Sequence, residues 1–288
     1  MTTELAPIEP ADVAAVAEFL HAHMNARVPA AAWRAGMTPP WKIDSPNHGF
    51  MLTDAGAVVG VYLAFYSERS IDGRPERFCN LGAWCVLPDY RVHSVRLLKA
   101  LLAQDGYHFT DLSPSGSVIK LNTRLKFQAL DTATMLAPNL PLPWLPRSGG
   151  RIKIISDPAR IADRLAGPDL AVYLDHEHAA AARHLVISRG GEDCYVIFRK
   201  VSRKGVSAFA FILYASNPEL LRAAFGPLQA RMLLRHGALA TLGELRTLGG
   251  RPRLSVRLAS PRPKMFRSAT LGSAQIDDLY SELVCVPW

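Results

Sequence analysis

The sequence predicts an α/β protein with mixed sheets, organised in two lobes. Three observations predict it. Residues Phe78 to Phe127 read as strand, Arg-bearing turn, helix, strand and short helix. Pro138 to Gly150 hold four prolines and two glycines in thirteen residues, which fit neither a helix interior nor a central strand. Beyond that break, the second half repeats the element order of the first. A length of 288 residues suits two domains, expected as 1–145 and 146–288, and 49% hydrophobic with 20% charged content excludes a disordered chain.

Taken in order, residues 10–25 form an amphipathic helix with Val13, Val16, Phe19, Leu20 and Met24 on its apolar face. His21 and His23 lie two apart and cannot share a helix face. Residues 28–46, with Trp33, Pro39, Pro40 and Trp41, read as irregular. Gly49 to Ala64 make two strands joined by a turn at Asp54-Ala-Gly56. The apolar run Leu81–Leu87 stops at Pro88-Asp-Tyr-Arg-Val-His-Ser-Val-Arg96 and gives way to a helix carrying Val95, Leu97, Leu98, Leu101 and Leu102. Tyr107 to Leu112 are a strand, and a Ser-Pro-Ser-Gly turn leads to Val118–Phe127. In the second half, Arg151–Ile155 are a strand, and 158–165 and 170–182 are helical. A hairpin turns at Gly190-Gly191, a strand covers 207–214, and Asn217-Pro-Glu starts a helix. Ser281 to Trp288 are expected to dock as a last strand.

A strand that ends in a turn and opens a helix presents unpaired backbone N–H groups, which suit a phosphate or pyrophosphate. The order and spacing over residues 5–130 resemble the GCN5-related N-acetyltransferase (GNAT) superfamily, which binds acyl-coenzyme A. Pro88-Asp89-Tyr90-Arg91 matches the opening of that family's pyrophosphate loop, while Ser94 and Arg96 stand where small residues are expected. In the family's second signature Ser115 stands at the Asn, Asn122 at the Tyr and Lys126 at the Gly before Phe127. The resemblance implies an acyltransferase moving an acyl group from acetyl-CoA or another acyl-CoA, or from an acyl carrier protein, to an amine or hydroxyl. The alternative is a non-catalytic GNAT-like binding or regulatory protein. The second half would be a GNAT-like lobe made degenerate because Tyr214-Ala-Ser-Asn-Pro lacks an arginine-rich turn, or else a unique α+β extension.

Acyl transfer needs a polarised carbonyl, a base for the acceptor and a proton for the thiolate. The resemblance places the carbonyl at the backbone of Val86 and Leu87, and the coenzyme at Arg91, Val92, His93, Ser94, Val95, Arg96 and Ser115. Asn80 to Leu87 hold no carboxylate, with Glu68 and Glu76 the nearest. The resemblance also places acceptor or cofactor contacts in the turn after the fifth strand, where Asp111 is a candidate base or amine-binding carboxylate, or else a turn residue bonding its own backbone. Asn122 sits at the expected tyrosine position but cannot donate as an acid, and Tyr107 is a possible replacement. Cys85 would be a nucleophile if His93 or Arg91 lowered its pKa, and otherwise packs in the core. Strand alternation sets Cys85 and Leu87 on one face, Trp84 and Val86 on the other.

Cys79, Cys85, Cys194 and Cys285 lack C-x-x-C spacing and the nine histidines do not pair with them as in a zinc finger, so no metal is expected. With no apolar run of membrane-span length and no basic-then-apolar leader at Met1–Pro7, a cytoplasmic protein with reduced thiols is expected. The net charge of +8 is uneven: −1 over residues 1–145 and +9 over 146–288. Arg199, Lys200, Arg203, Lys204, Arg251, Arg253, Arg262, Lys264 and Arg267 stand out, and they suit either an acidic partner or a solvated surface. Nucleic acid is disfavoured, since no helix-turn-helix or RNA-recognition signature occurs.

Overall fold

The computed structural model describes residues 3–140, 151–203 and 206–288, without the side chains of 203, 206 and 207. Most of the Pro138–Gly150 break thus lies outside the described residues. The chain divides into two compact units, 1–130 with 263–288, and 131–262. The expected boundary is corrected at both ends. Met135 and Ala137 belong to the core of the second unit, while Met265 lies in that of the first. The apolar pattern after residue 262 does not specify which sheet it joins, and only the strand pairing places it in the first unit.

The first unit contains β1 (Glu4–Pro7), α1 (Val13–His23), α2 (Ala30–Met37), β2 (Gly49–Asp54), β3 (Ala57–Ile71), β4 (Arg74–Val86), α3 (Ser94–Leu102), β5 (His108–Asp111), α4 (Gly116–Arg124) and β6 (Gln128–Ala129). The second unit contains β7 (Thr134–Pro138), β8 (Lys153–Ile155), α5 (Pro158–Arg164), α6 (Gly167–His176), β9 (Arg183–Arg189), β10 (Glu192–Arg203), β11 (Val206–Ala215), α7 (Pro218–Ala223), α8 (Phe225–His236), β12 (Ala240–Glu244), α9 (Leu245–Leu248) and β13 (Val256–Arg257). The returning segment adds β14 (Met265–Arg267) and α10 (Glu282–Cys285) to the first unit.

The first sheet runs β1-β2-β3-β4-β5-β14-β6 and the second β8-β9-β10-β11-β12-β7-β13. Each has antiparallel neighbours throughout except one parallel pair at the same place, β4 with β5 and β11 with β12. The sixth position of each sheet is filled from a different part of the chain. In the second sheet it is β7, the strand that follows β6. In the first it is β14, which follows the whole second unit.

Local chemistry explains these elements. Ala55 and Gly56, at φ 48° and 81°, turn β2 into β3, and Asp72 and Gly73, at 52° and 79°, turn β3 into β4. Val16, Leu20, Leu97, Leu98 and Leu101 are fully buried, as the helical spacings predict. Met24 is not; it is 38% exposed. Two readings are corrected. Residues 30–37, read as irregular, are α2, entered from extended Pro29, and Trp33 is fully buried against Trp288. Residues 282–285, read as a strand, form a helical turn capped by the Ser281 hydroxyl, which accepts from the Leu283 N–H at 3.2 Å.

Candidate active site

The parallel pair β4–β5 is joined only over Phe78↔His108 to Leu81↔Asp111. There β5 ends, while β4 continues through Val86, held on its other side by β3. Ala83 takes a left-handed φ of 55°, and the β3–β4 register shifts between Val61 and Leu63. This bulge bends β4 away from β5 beside an opening that Trp84, Cys85 and Val86 line. Trp84 and Val86 share a face, both packing against the core that holds Leu52 and Tyr62, whereas Leu87 joins that core too rather than the Cys85 face. The opening is a cavity of about 720 Å³, within the range of small-molecule sites.

Its floor is a buried polar group. Asp111 is 4% exposed and accepts from Asn122 Nδ2 at 2.8 Å. Burial pushes its carboxyl up to about 6, against hydrogen bonds from Asn122, the Ser113 backbone and Tyr62 that favour the charged form. Tyr62 stacks on Trp84 at 4.5 Å, and burial, then the charges of Asp111 and Glu282, raise its phenol well above the ordinary range. Asn122 is fully buried, and its Oδ1 has no hydrogen-bond partner among the described residues. Behind them Ser113 Oγ donates to Glu282 Oε1 at 2.7 Å, and the Glu282 N–H donates to Asn80 Oδ1 at 3.0 Å.

The other end of the cavity is lined by Arg91, Ser94 and Val95. Here the turn is not a loop of free amides. Pro88–His93 form a 3-10 helix that runs into α3, and the Ser94 N–H and hydroxyl both donate to the Arg91 carbonyl. Arg91 and Val92 are exposed, Val92 at 83%. Arg96 turns elsewhere: its guanidinium donates to the Thr3 carbonyl and hydroxyl at 3.1 and 2.8 Å. Val92, His93 and Arg96 are not among the cavity-lining residues.

The Leu87 N–H is committed to the Val59 carbonyl at 2.9 Å, so Leu87 cannot offer its amide to a ligand. In an antiparallel ladder successive N–H groups point to opposite sides, so the Val86 N–H faces away from β3, toward the opened side. Cys85 lines the cavity, but burial raises its thiol, the reverse of what a nucleophile needs. Ser115 lines the far wall with Ser113 and Ser117. Tyr107 bonds Arg77, and Glu76 bonds His108, so neither is part of this site. Tyr62 was not singled out in the sequence, where its only signal is one of two phenols, with Tyr66, in an apolar strand. Nor were Glu282 and Trp288, which the strand exchange brings in.

The second unit has the same ladder with a different ending. Its parallel pair closes at Ile212↔Gly243, the rung occupied in the first unit by Leu81↔Asp111. Gly243 carries no base, and a Cβ there would lie 2.7 Å from buried Leu248 of α9. The basic run read along this half is also dispersed. Arg199 is buried, and Lys264 is buried against Asp278 in the first unit. Arg267, also in the first unit, lies over the Phe109 ring, whereas Lys200 and Arg262 are exposed; Lys204 and the Arg203 side chain fall outside the described residues.

No family model matches the chain, and no curated protein matches it in sequence. Solved structures do. A GCN5-related N-acetyltransferase from Anabaena variabilis superposes with a TM-score of 0.58 at 11% identity, over 92% of this chain and 72% of that one. A GCN5-related N-acetyltransferase from Kribbella flavida gives 0.55 at 14%, over 92% and 71%. N-myristoyltransferase of Saccharomyces cerevisiae, solved with bound myristoyl-CoA, gives 0.52 at 10%, over 99% and 85%. The chain has the GNAT fold.

Proposed function

We propose that the first unit transfers an acyl group from a coenzyme A thioester to an amine or hydroxyl acceptor. The observation that carries this reading is the splay of β4 from β5, which opens the Val86 amide and the Asp111 carboxylate onto one cavity. The thioester lies along β4, its carbonyl accepting from the Val86 N–H, with Arg91, Ser94 and Val95 at the phosphate end. Asp111 takes the acceptor proton. A carboxyl near 6 is a stronger base than an ordinary one, yet still ionised at neutral pH. The acceptor atom bonds the carbonyl carbon, the C–S bond breaks, and the thiolate takes up the proton that Asp111 gathered, so no separate tyrosine acid is needed. Tyr62 and Asn122 are positioning residues that hold the carboxylate.

The second reading is a GNAT-like module that binds a CoA thioester without turning it over. It is favoured by Asn122, which stands at the expected tyrosine position and cannot serve as an acid, and by the lack of a carboxylate from Asn80 to Leu87. Calorimetry with acetyl-CoA and myristoyl-CoA, paired with thiol-release assays on amine acceptors, separates the two. The first reading expects binding that Arg91→Glu weakens and turnover that Asp111→Asn lowers by roughly 10²–10⁴-fold with binding retained. Binding without turnover for any acceptor selects the second; no binding of either thioester overturns both.

A further inference from the structure

The second unit carries a cavity of its own, about 480 Å³, between α5 and the edge of the sheet at β8 and β9. Five cations converge on it from separate elements: Arg151 and Lys153 on the β8 side, Arg160 and Arg164 on α5, and Arg189 at the hairpin. The placement follows from two periodicities. Residues 151, 153 and 155 alternate onto one face of an extended segment, and 160 and 164 lie four apart on one helix face. Lys153 sits opposite Ser188 in the β8–β9 register, and Ser188 also lines the cavity.

Compensation is partial, and Arg189 is itself engaged within the chain. Arg164 is engaged by Asp193 at 2.9 Å and by Ser188. Among the described residues, Arg151, Lys153 and Arg160 form no ion pair through their side chains. Like charges drawn onto facing surfaces repel, and four-apart arginines on a helix are unfavourable alone. A solvated basic face would spread these groups over a convex surface; here they ring a concavity. Gly190 and Gly191, at φ 59° and 93°, form the tight turn at its rim, and a Cβ on Gly191 would meet nothing within 4 Å, so the approach is open.

We propose that this cavity binds a small molecule bearing more than one phosphate group. Planar guanidinium forks match phosphate oxygens in pairs, and a site of this volume holds a compact ligand rather than an extended polymer. The site stands apart from the acyl-transfer reading and does not depend on it.

The test is calorimetry of inorganic pyrophosphate on the full chain, with citrate as a carboxylate control. Because the first unit is itself read as a pyrophosphate-binding site, wild type is compared with Arg91→Glu and with an Arg151→Glu/Arg160→Glu variant. The expected result is saturable pyrophosphate binding, stronger than citrate binding and retained in Arg91→Glu. It should weaken by about tenfold or more in the double variant, as loss of charge-assisted hydrogen bonds requires. A melting curve that matches wild type without ligand confirms that the double variant is folded; Lys153→Glu serves in its place if it is not. Pyrophosphate binding lost in Arg91→Glu but kept in the cavity variants overturns the proposal. So does the absence of saturable binding, or a cavity that binds only a long polyanion such as heparin.

Discussion

As the base proposed for acyl transfer, Asp111 would set both an activity and a cost to the fold. Its carboxyl is raised from 3.8 to about 6, so the folded state holds the proton more tightly than the unfolded chain. The stabilising contribution of that proton is complete below 3.8 and is lost as pH rises through about 6. Activity runs the other way, because a base must be ionised: kcat/KM should climb with pH and level off above about 6. An Asp111→Asn variant should lose this inflection while melting at pH 8 no lower than wild type, because it removes a buried charge. A limb at the same pH in the residual activity of that variant would assign the titration to another group. Asp111 was legible in the sequence as the carboxylate at the end of a strand, but its partners were not. Tyr62 and Asn122 reach it from β3 and α4 through the fold alone. Lys126 offers a check on the aligned motif. It takes φ 66° just after α4, where the family has glycine, and the Phe127 N–H bonds the Asn122 carbonyl at 3.0 Å as in a helix C-cap. Lys126→Gly should therefore raise stability, by about 1 kcal/mol at most, in urea denaturation.

At the scale of elements, periodicity carried the argument where a helix or strand is half buried, and failed where special backbone takes over. α1, α3 and the two hairpins through Asp54–Gly56 and Gly190–Gly191 follow directly from apolar spacing and turn residues. α2 was hidden because Pro29, Pro39 and Pro40 bracket it and its run of alanines has no apolar stripe. The bulge at Ala83 had no signal either, since an alanine at positive φ is held there by tertiary context rather than by preference. That bulge is what turns a strand into one wall of a cavity. The matching place in the second unit is filled by α9, and this can be tested. A Cβ on Gly243 would lie 2.7 and 2.8 Å from Leu248 Cδ2 and Cγ. Gly243→Ala should destabilise the second unit by roughly 1–3 kcal/mol through overpacking. Thioester binding at the first unit should not change, and a variant as stable as wild type would mean that α9 does not occupy the crevice.

For the whole molecule, the two sheets share one order of strands and one parallel pair, but the chain does not build them in sequence. The charge difference survives the corrected boundary. Residues 131–262 hold 19 Lys/Arg against 10 Asp/Glu, leaving the first unit near neutrality. The strand exchange could not be read from sequence, because the apolar residues of β7 and β14 would fit either sheet, and only the pairing partners decide. It has a sharp consequence for truncation. Residues 1–145 form the lobe that the proline-rich break suggests, yet that fragment lacks β14 between β5 and β6, the buried Lys264–Asp278 pair and Glu282 behind the cavity floor. An unpaired β5 edge and two emptied core positions, Met265 and Phe266, should leave it unfolded or aggregating. The Leu130 N–H bonds the Lys264 carbonyl at 2.9 Å, so the two ends of the first unit already meet. Replacing residues 131–262 with a short Gly/Ser linker should therefore give a chain with dispersed amide NMR signals that binds CoA thioesters as the full protein does, if that reading of the cavity holds. The decisive comparison is the pair. A folded 1–145 fragment alongside an unfolded linked chain would mean that the returning segment is dispensable to the first sheet.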